Sequence, residues 1–278
     1  MDDGRRRRHP RRAGPAPGAG RGGGGRAGRP DLAYSCLANA ASAAACAGDP
    51  LRALDFAGRC LPLVVPSGLL RLCVYTHSAR TALLRLLGRL GEARVAGDAA
   101  AAAAERVGLP ELEGLVHHDR GLLEAAAGEH RVAAAELGLA LDLGAPVSRP
   151  LTRLLRAEAL ARDGRPDEAE HELRAVALEP VSPADLPDTL VARMSHVQGL
   201  VALRRGNPSL AGRRLREAES GWLRRAGQGR AEHDRDAGQG YVAALIDLGR
   251  PPVAALVEPA KELAALRADI ARLGGLDA

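Results

Sequence analysis

Residues 197–219 read VQGLVALRRGNPSLAGRRLREAE, and this stretch decides the fold. Gly199 is followed seven residues later by Gly206, and Ala211 comes five residues after that. Apolar residues recur at helical spacing on both sides of Gly206, and glycine ends a helix readily because it adopts a left-handed backbone at little cost. Pro208 suits the first turn of a following helix, where its missing N–H is not needed. The stretch therefore predicts two helices joined by a tight turn.

The pattern of a glycine, four residues and an alanine recurs six times along the chain. Successive turn glycines are 40, 40, 36, 42 and 43 residues apart. Small residues also recur seven positions before most of the glycines, and small residues allow helices to approach closely. Since one helix pair cannot bury its own apolar face, repeats of this length predict pairs that stack on their neighbours. The six pairs are Gly48/Ala53, Gly88/Ala93, Gly128/Ala133, Gly164/Ala169, Gly206/Ala211 and Gly249/Ala254.

The composition supports an all-α fold. Aromatic residues make up only 2% of the chain, and alanine, leucine, arginine and glutamate, which favour helices, dominate. We expect a looser connection over residues 226–235. The predicted helices cover residues 32–47, 50–61, 68–87, 91–107, 111–127, 130–143, 149–162, 166–178, 185–205, 208–225, 236–248 and 254–273.

The first 30 residues form a separate segment that is rich in arginine, glycine and proline. It contains nine arginines against Asp2 and Asp3, which gives it a net charge of +7, whereas the chain as a whole carries +5. Residues 31–278 are therefore slightly acidic, at −2. A segment of this composition cannot bury apolar surface, and we predict that it is disordered. It suggests an alternative function in nucleic-acid binding, although it offers no aromatic residue on which a base could stack.

The repeat resembles the tetratricopeptide repeat (TPR), whose signature is a small residue, a glycine seven positions later and an alanine five positions after that. Gly121, Gly128 and Ala133 match this signature, as do the corresponding residues of 197–219. The resemblance covers residues 31–272 and implies a right-handed α-solenoid of about six antiparallel helix pairs. The units are longer than the standard TPR and lack its first large aromatic residue. In this they are similar to the MalT-like repeats of large LuxR-type and other STAND-type bacterial transcriptional regulators.

The resemblance implies a function in protein binding, because TPR arrays hold ligands along the concave face of their first helices. It also implies a partner that carries an ATPase or DNA-binding module on another chain. We expect a locally basic groove that takes a carboxylate or an acidic segment. The groove positions carried over from the family are Tyr75, Ser78, Arg85, Leu115, His118, Leu122, Glu158, Arg162, Arg193, His196 and Arg204.

The sequence offers no catalytic constellation, and we predict that the chain is not an enzyme. Lys261 is the only lysine and no Walker A motif surrounds it, so a P-loop is absent and no cofactor is expected. The best metal candidate is the cluster of Glu113, His117, His118, Asp119 and Glu124. Zinc needs three or four ligands in a defined geometry, whereas Glu113 and His117 share one helix face and His118 points elsewhere. No metal is therefore expected.

Cysteine usage and hydropathy indicate a cytoplasmic protein. The cysteines at positions 36, 46, 60 and 73 show no C-x-x-C spacing, and Cys46 and Cys60 are expected to be inert core thiols. No apolar run is long enough to span a membrane. A secretory signal is the less favoured alternative, since polar residues interrupt the apolar stretch from Leu32 to Ala45.

Overall fold

The computed structural model describes residues 30–179, 187–233 and 259–272. Within these ranges the chain forms eleven α-helices and no β-strand, which confirms the all-α prediction. The helices are α1 Pro30–Cys46, α2 Pro50–Val64, α3 Leu70–Leu86, α4 Leu90–Val107, α5 Pro110–Ala126, α6 His130–Asp142, α7 Arg149–Arg162, α8 Pro166–Val176, α9 Pro187–Arg204, α10 Pro208–His233 and α11 Pro259–Arg272.

The turn glycines behave as the repeat predicts. All five that the structure describes have φ values between 71° and 86°, in the left-handed region that favours glycine. Pro50, Pro166 and Pro208 each begin the helix that follows such a turn. The sixth pair, Gly249 and Ala254, lies outside the described residues. A glycine therefore ends the first helix of each described pair.

The small residues of the repeat mark close helix contacts. A β-carbon added at Gly121 on α5 would lie 2.6 Å from Cγ of Leu137 on α6. A β-carbon added at Gly199 on α9 would lie 2.7 Å from Cδ2 of Leu215 on α10. An alanine at either position would force the facing leucine to shift, because real β-carbons do not approach other atoms so closely. The same repeat position thus makes the same contact in two units.

Neighbouring helices pack against one another in chain order, and some first helices also touch. Each helix from α1 to α10 contacts the next, while α3 contacts α5 and α7 contacts α9. The core between them consists mainly of alanine and leucine, as in the cluster that joins α6, α7, α8 and α9. Contacts between first helices bring together polar side chains that lie far apart in the sequence.

Two element predictions need correction. The residues from 226 to 233, expected to form a loose connection, continue α10 as far as His233. Alanine, arginine and glutamate in this run favour helix strongly enough to outweigh its two glycines. Helix α2 ends at Val64 and not at the predicted residue 61. Pro62 lies in its last turn and does not end the helix. The helix predicted over 236–248 lies outside the described residues.

The cysteine prediction is half right. Cys60 and Cys73 are buried, and burial raises the pKa of the Cys60 thiol to about 11, which makes it unreactive. Cys46 is exposed instead of buried, because it is the last residue of α1 and precedes the turn. None of the helices in the described ranges combines the length and the apolar character needed to cross a membrane.

Candidate functional site

Seven of the predicted groove residues separate into two polar clusters that involve the first helices. Five residues form what we call the Asp269 site, which joins α7, α9 and α11. Another five form the Asp119 cluster, which joins α3, α5 and α7. The Asp269 site consists of Glu158, Arg162, Arg193, His196 and Asp269. The Asp119 cluster consists of Ser78, Arg85, His118, Asp119 and Thr152.

The carboxylate of Asp269 is the centre of the Asp269 site. Arg162 on α7 donates two hydrogen bonds to it, from Nη1 to Oδ1 at 3.2 Å and from Nη2 to Oδ2 at 2.9 Å. Nε2 of His196 on α9 lies 2.9 Å from Oδ2 of the same carboxylate. Asp269 is 1% exposed and His196 is fully buried, so water does not screen these contacts. A carboxylate on α11 is thus held by two different first helices.

Glu158 connects the rest of the site. Its Oε2 accepts a hydrogen bond from Nη1 of Arg193 at 2.8 Å, and its Oε1 accepts one from Nε of Arg162 at 3.1 Å. Burial acts to raise the pKa of Glu158, but Arg193, His196 and Arg162 outweigh it and hold that pKa well below its usual range. Burial likewise acts to raise the pKa of Asp269, and His196 and Arg162 reverse the effect. Both carboxylates are therefore charged at neutral pH.

A cluster of apolar side chains adjoins the charged residues of the Asp269 site. Leu263 and Leu266 of α11 pack into a cluster with Trp222 of α10 and Ala192 of α9. Trp222 is fully buried, and the guanidinium carbon of Arg193 lies 5.8 Å from the centre of its ring. Through this cation–π contact, the apolar cluster is in direct contact with the charged residues of the site.

Arg204 acts differently from the other predicted residues. Its Nε donates to the carbonyl oxygen of Ala161 at 3.0 Å, and its Nη2 donates to that of Arg162 at 2.8 Å. These carbonyls lie in the last turn of α7, where the regular i+4 donors run out, and that of Ala161 also accepts from the backbone N–H of Gly164 at 3.2 Å. Arg204 therefore caps the helix that carries Arg162 and fixes its position.

The Asp119 cluster lies in the interior. His118 is 2% exposed, and its Nδ1 lies 3.2 Å from the hydroxyl of Thr152. Burial, reinforced by the positive charge of Arg85, lowers the pKa of His118 to about 4. Burial raises the pKa of Asp119 to about 7, although Ser78 and Arg85 act in the opposite direction. Both members of the pair are uncharged just below neutral pH.

Several of the predicted groove residues are buried in the structure. Ser78 and His118 are interior residues and not lining residues, since the first helices α3, α5 and α7 pack directly over them. Leu115 is buried as well, Leu122 is half-buried, and Tyr75 packs beside the apolar cluster of α3, α4 and α5. Arg193 and His196 are covered because α11 lies over them.

The histidines of the predicted metal candidate contact different partners. Nδ1 of His117 lies 2.6 Å from a carboxylate oxygen of Glu136 on α6, while His118 turns to Thr152. Within residues 30–179, 187–233 and 259–272, no three histidine, cysteine or carboxylate side chains come together as a metal site would require.

The sequence prediction missed Asp269, the residue that unites the site. One signal could have revealed it. Leu263, Leu266, Asp269 and Ile270 share one face of α11, and a single carboxylate on an otherwise apolar helix face usually has a buried partner. The partners themselves, 73 and 107 residues away, carry no local signal.

No protein-family model, curated protein or solved structure matches this chain.

Proposed function

We propose that the chain is a protein-binding scaffold in which α7 and α9 recognise a carboxylate on a partner's helix, without catalytic turnover. The observation that carries the proposal is the Asp269 carboxylate, which a helix presents to Arg162 and His196. Two parallel N–H donors of one arginine match the two oxygens of a carboxylate, so the arrangement discriminates by shape as well as by charge.

The charges of the receptor side require an acidic ligand. Without Asp269, Arg162 loses the carboxylate that pairs with both of its terminal nitrogens and keeps only its contact with Glu158, which it shares with Arg193. A cation that is buried without a counter-ion costs several kcal/mol. A partner with aspartate or glutamate is therefore preferred over one with a neutral residue.

The overall architecture under this proposal is a right-handed solenoid of about six TPR-like pairs, related to the repeat regions of bacterial transcriptional regulators. The left-handed turn glycines and the close contacts of Gly121 and Gly199 support it. The partner would be a neighbouring protein that carries an ATPase or DNA-binding module, and the binding would take place in the cytoplasm.

The test is a selection from a phage-displayed library of alanine-rich helical peptides, randomised on one face. The full chain is used, both unchanged and as Asp269→Asn, which weakens the internal carboxylate. We expect the selected peptides to be enriched in aspartate or glutamate. Their binding should fall at least about tenfold for Arg162→Gln, since each hydrogen bond to a charged group contributes about 1.5–3 kcal/mol.

The matched control is Arg165→Gln, which alters an exposed arginine three residues away that pairs with Glu168. This variant should bind the selected peptides as the unchanged chain does. Peptides without acidic enrichment, or equal binding to the Arg162 and Arg165 variants, would contradict the proposed function.

A further inference from the structure

Helix α11 presents one narrow face to the body of the protein. Leu263, Leu266, Asp269 and Ile270 lie at positions i, i+3, i+6 and i+7 of one helix, so they project to the same side. Leu266 is fully buried, Leu263 is 8% exposed and Asp269 is 1% exposed. The residues between them, which are mostly alanine, are exposed. Helix α11 is therefore amphipathic, with one buried face and one exposed face.

The surface that receives this face has two matching parts. Ala192, Leu215, Ala218 and Trp222 form an apolar seat for the two leucines. Arg162 and His196 receive the carboxylate that follows one turn later. The seat lies on α9 and α10, while the carboxylate reaches across α9 to α7. Helix α11 binds here through apolar anchors at i, i+3 and i+7, a spacing that helices in recognition grooves use, and it adds the carboxylate at i+6.

We infer that α11 occupies the partner-binding site as an intramolecular ligand, and that the partner is an amphipathic helix with the same order of anchors. These anchors are two apolar residues three positions apart, an acidic residue three positions further, and an apolar residue directly after it. This inference rests on the proposed function and adds to it the form of the ligand and its control.

Binding of α11 and of a partner helix is mutually exclusive. Asp269 occupies the position facing both terminal nitrogens of Arg162 and Nε2 of His196, so a second carboxylate cannot take the same place while α11 is bound. Among the residues of α11 whose side chains the structure describes, Leu263, Leu266, Ile270 and Asp269 hold the helix in place, together with an exposed ion pair between Arg267 and Glu219 at 3.1 Å. Compared with a separate partner, α11 has the advantage that it belongs to the same chain, which gives it a high effective concentration at the site. A partner helix with better anchors can therefore replace it.

The experiment uses a fluorescein-labelled peptide with the sequence of residues 259–272, PAKELAALRADIAR, and a second peptide in which the aspartate is asparagine. Their affinities for the full chain are measured by fluorescence anisotropy. We expect the aspartate peptide to bind Asp269→Asn at least about tenfold more tightly than the unchanged chain, because the internal competitor is weakened. The asparagine peptide should bind that variant at least about tenfold more weakly than the aspartate peptide does.

The matched control is Asp98→Asn, which alters an exposed aspartate on α4 that pairs with Arg120. This variant should bind the peptide as the unchanged chain does. A second measurement needs no variant: hydrogen exchange of the backbone amides of α11 in the unchanged chain. Excess aspartate peptide should accelerate that exchange, because α11 is released when the peptide takes its place.

The outcomes separate the two proposals. Equal affinity for the unchanged chain and for Asp269→Asn, with unaltered exchange of α11 when the peptide is bound, overturns the inference and leaves the proposed function standing. Failure of both chains to bind any acidic helical peptide overturns the proposed function as well. A dimer that the peptide converts to monomers would show that α11 is exchanged between two copies, and would overturn the intramolecular arrangement.

Discussion

At the scale of single residues, the adjacent pair His118 and Asp119 makes an unusual contribution to stability. The folded state lowers the pKa of His118 from 6.5 to about 4 and raises that of Asp119 from 3.8 to about 7. Between pH 4 and 6.5 the unfolded chain carries one proton on the histidine, and the folded chain carries one on the aspartate. Since both states bind the same number of protons, the pair as a whole makes stability nearly independent of pH in this range.

Breaking the pair should reveal two opposite pH dependences. In Asp119→Asn only His118 remains, and its lowered pKa means that stability is lost as the pH falls from about 6.5 towards 4. In His118→Asn only Asp119 remains, and its raised pKa means that stability present near pH 4 is lost as the pH rises towards 7. Each change should amount to about 3–4 kcal/mol across its range.

The measurement is the free energy of unfolding by urea at pH 4.5, 5.5, 6.5 and 7.5, expressed as the difference between each variant and the unchanged chain. Other titrating groups cancel in this difference. Slopes of the same sign in both variants, or no slope in either, would show that the pair does not titrate as described.

At the scale of helices, the close contact between the two members of a pair depends on a missing side chain. Gly199→Ala places a β-carbon 2.7 Å from Leu215, which must shift within a packed cluster. Overpacking of this kind costs about 1–3 kcal/mol, and the gain from alanine's helix propensity, up to about 1 kcal/mol, only partly offsets it. We expect a lower free energy of unfolding in urea and a lower melting temperature.

The control is Gly58→Ala on α2, where an added β-carbon meets no atom within 4 Å. This variant gains helix propensity with no contact to disturb, and it should be more stable by about 0.5–1 kcal/mol. Gly121→Ala should behave like Gly199→Ala, since its β-carbon would lie 2.6 Å from Leu137. Stabilisation by all three substitutions would refute the close contacts.

The limits of sequence reasoning are clear at this scale. The positions of Gly199 and Gly206 predicted a turn and a close contact, because both are local consequences of backbone geometry and side-chain size. The extension of α10 over residues 226–233 was missed, because glycine-containing polar runs suit both loops and helices. His118 and Ser78 were placed in the groove from their repeat position alone. Their burial depends on how tightly successive first helices pack, which no repeat position specifies.

At the scale of the whole molecule, the account rests on one long-range arrangement. Helix α11 brings Asp269 to Arg162 and His196, and Leu266 to Trp222. The sequence analysis assigned Arg162, Arg193 and His196 to one groove, and the structure brings these three residues together on α7 and α9. It did not assign Asp269, because groove positions were carried over only for the first helices of the pairs.

Trp222 provides the most direct test of the claim that α11 occupies a site meant for an acidic helix. It is the only tryptophan in the chain, it is fully buried, and the 259–272 peptide contains none. In the double variant Leu266→Ala/Asp269→Asn, α11 loses its main anchors, and the emission of Trp222 should shift to longer wavelength as water reaches the ring. Adding the aspartate peptide should reverse the shift, and the asparagine peptide should do so only at a concentration at least about tenfold higher. An emission maximum that matches the unchanged chain with and without either peptide would contradict the account.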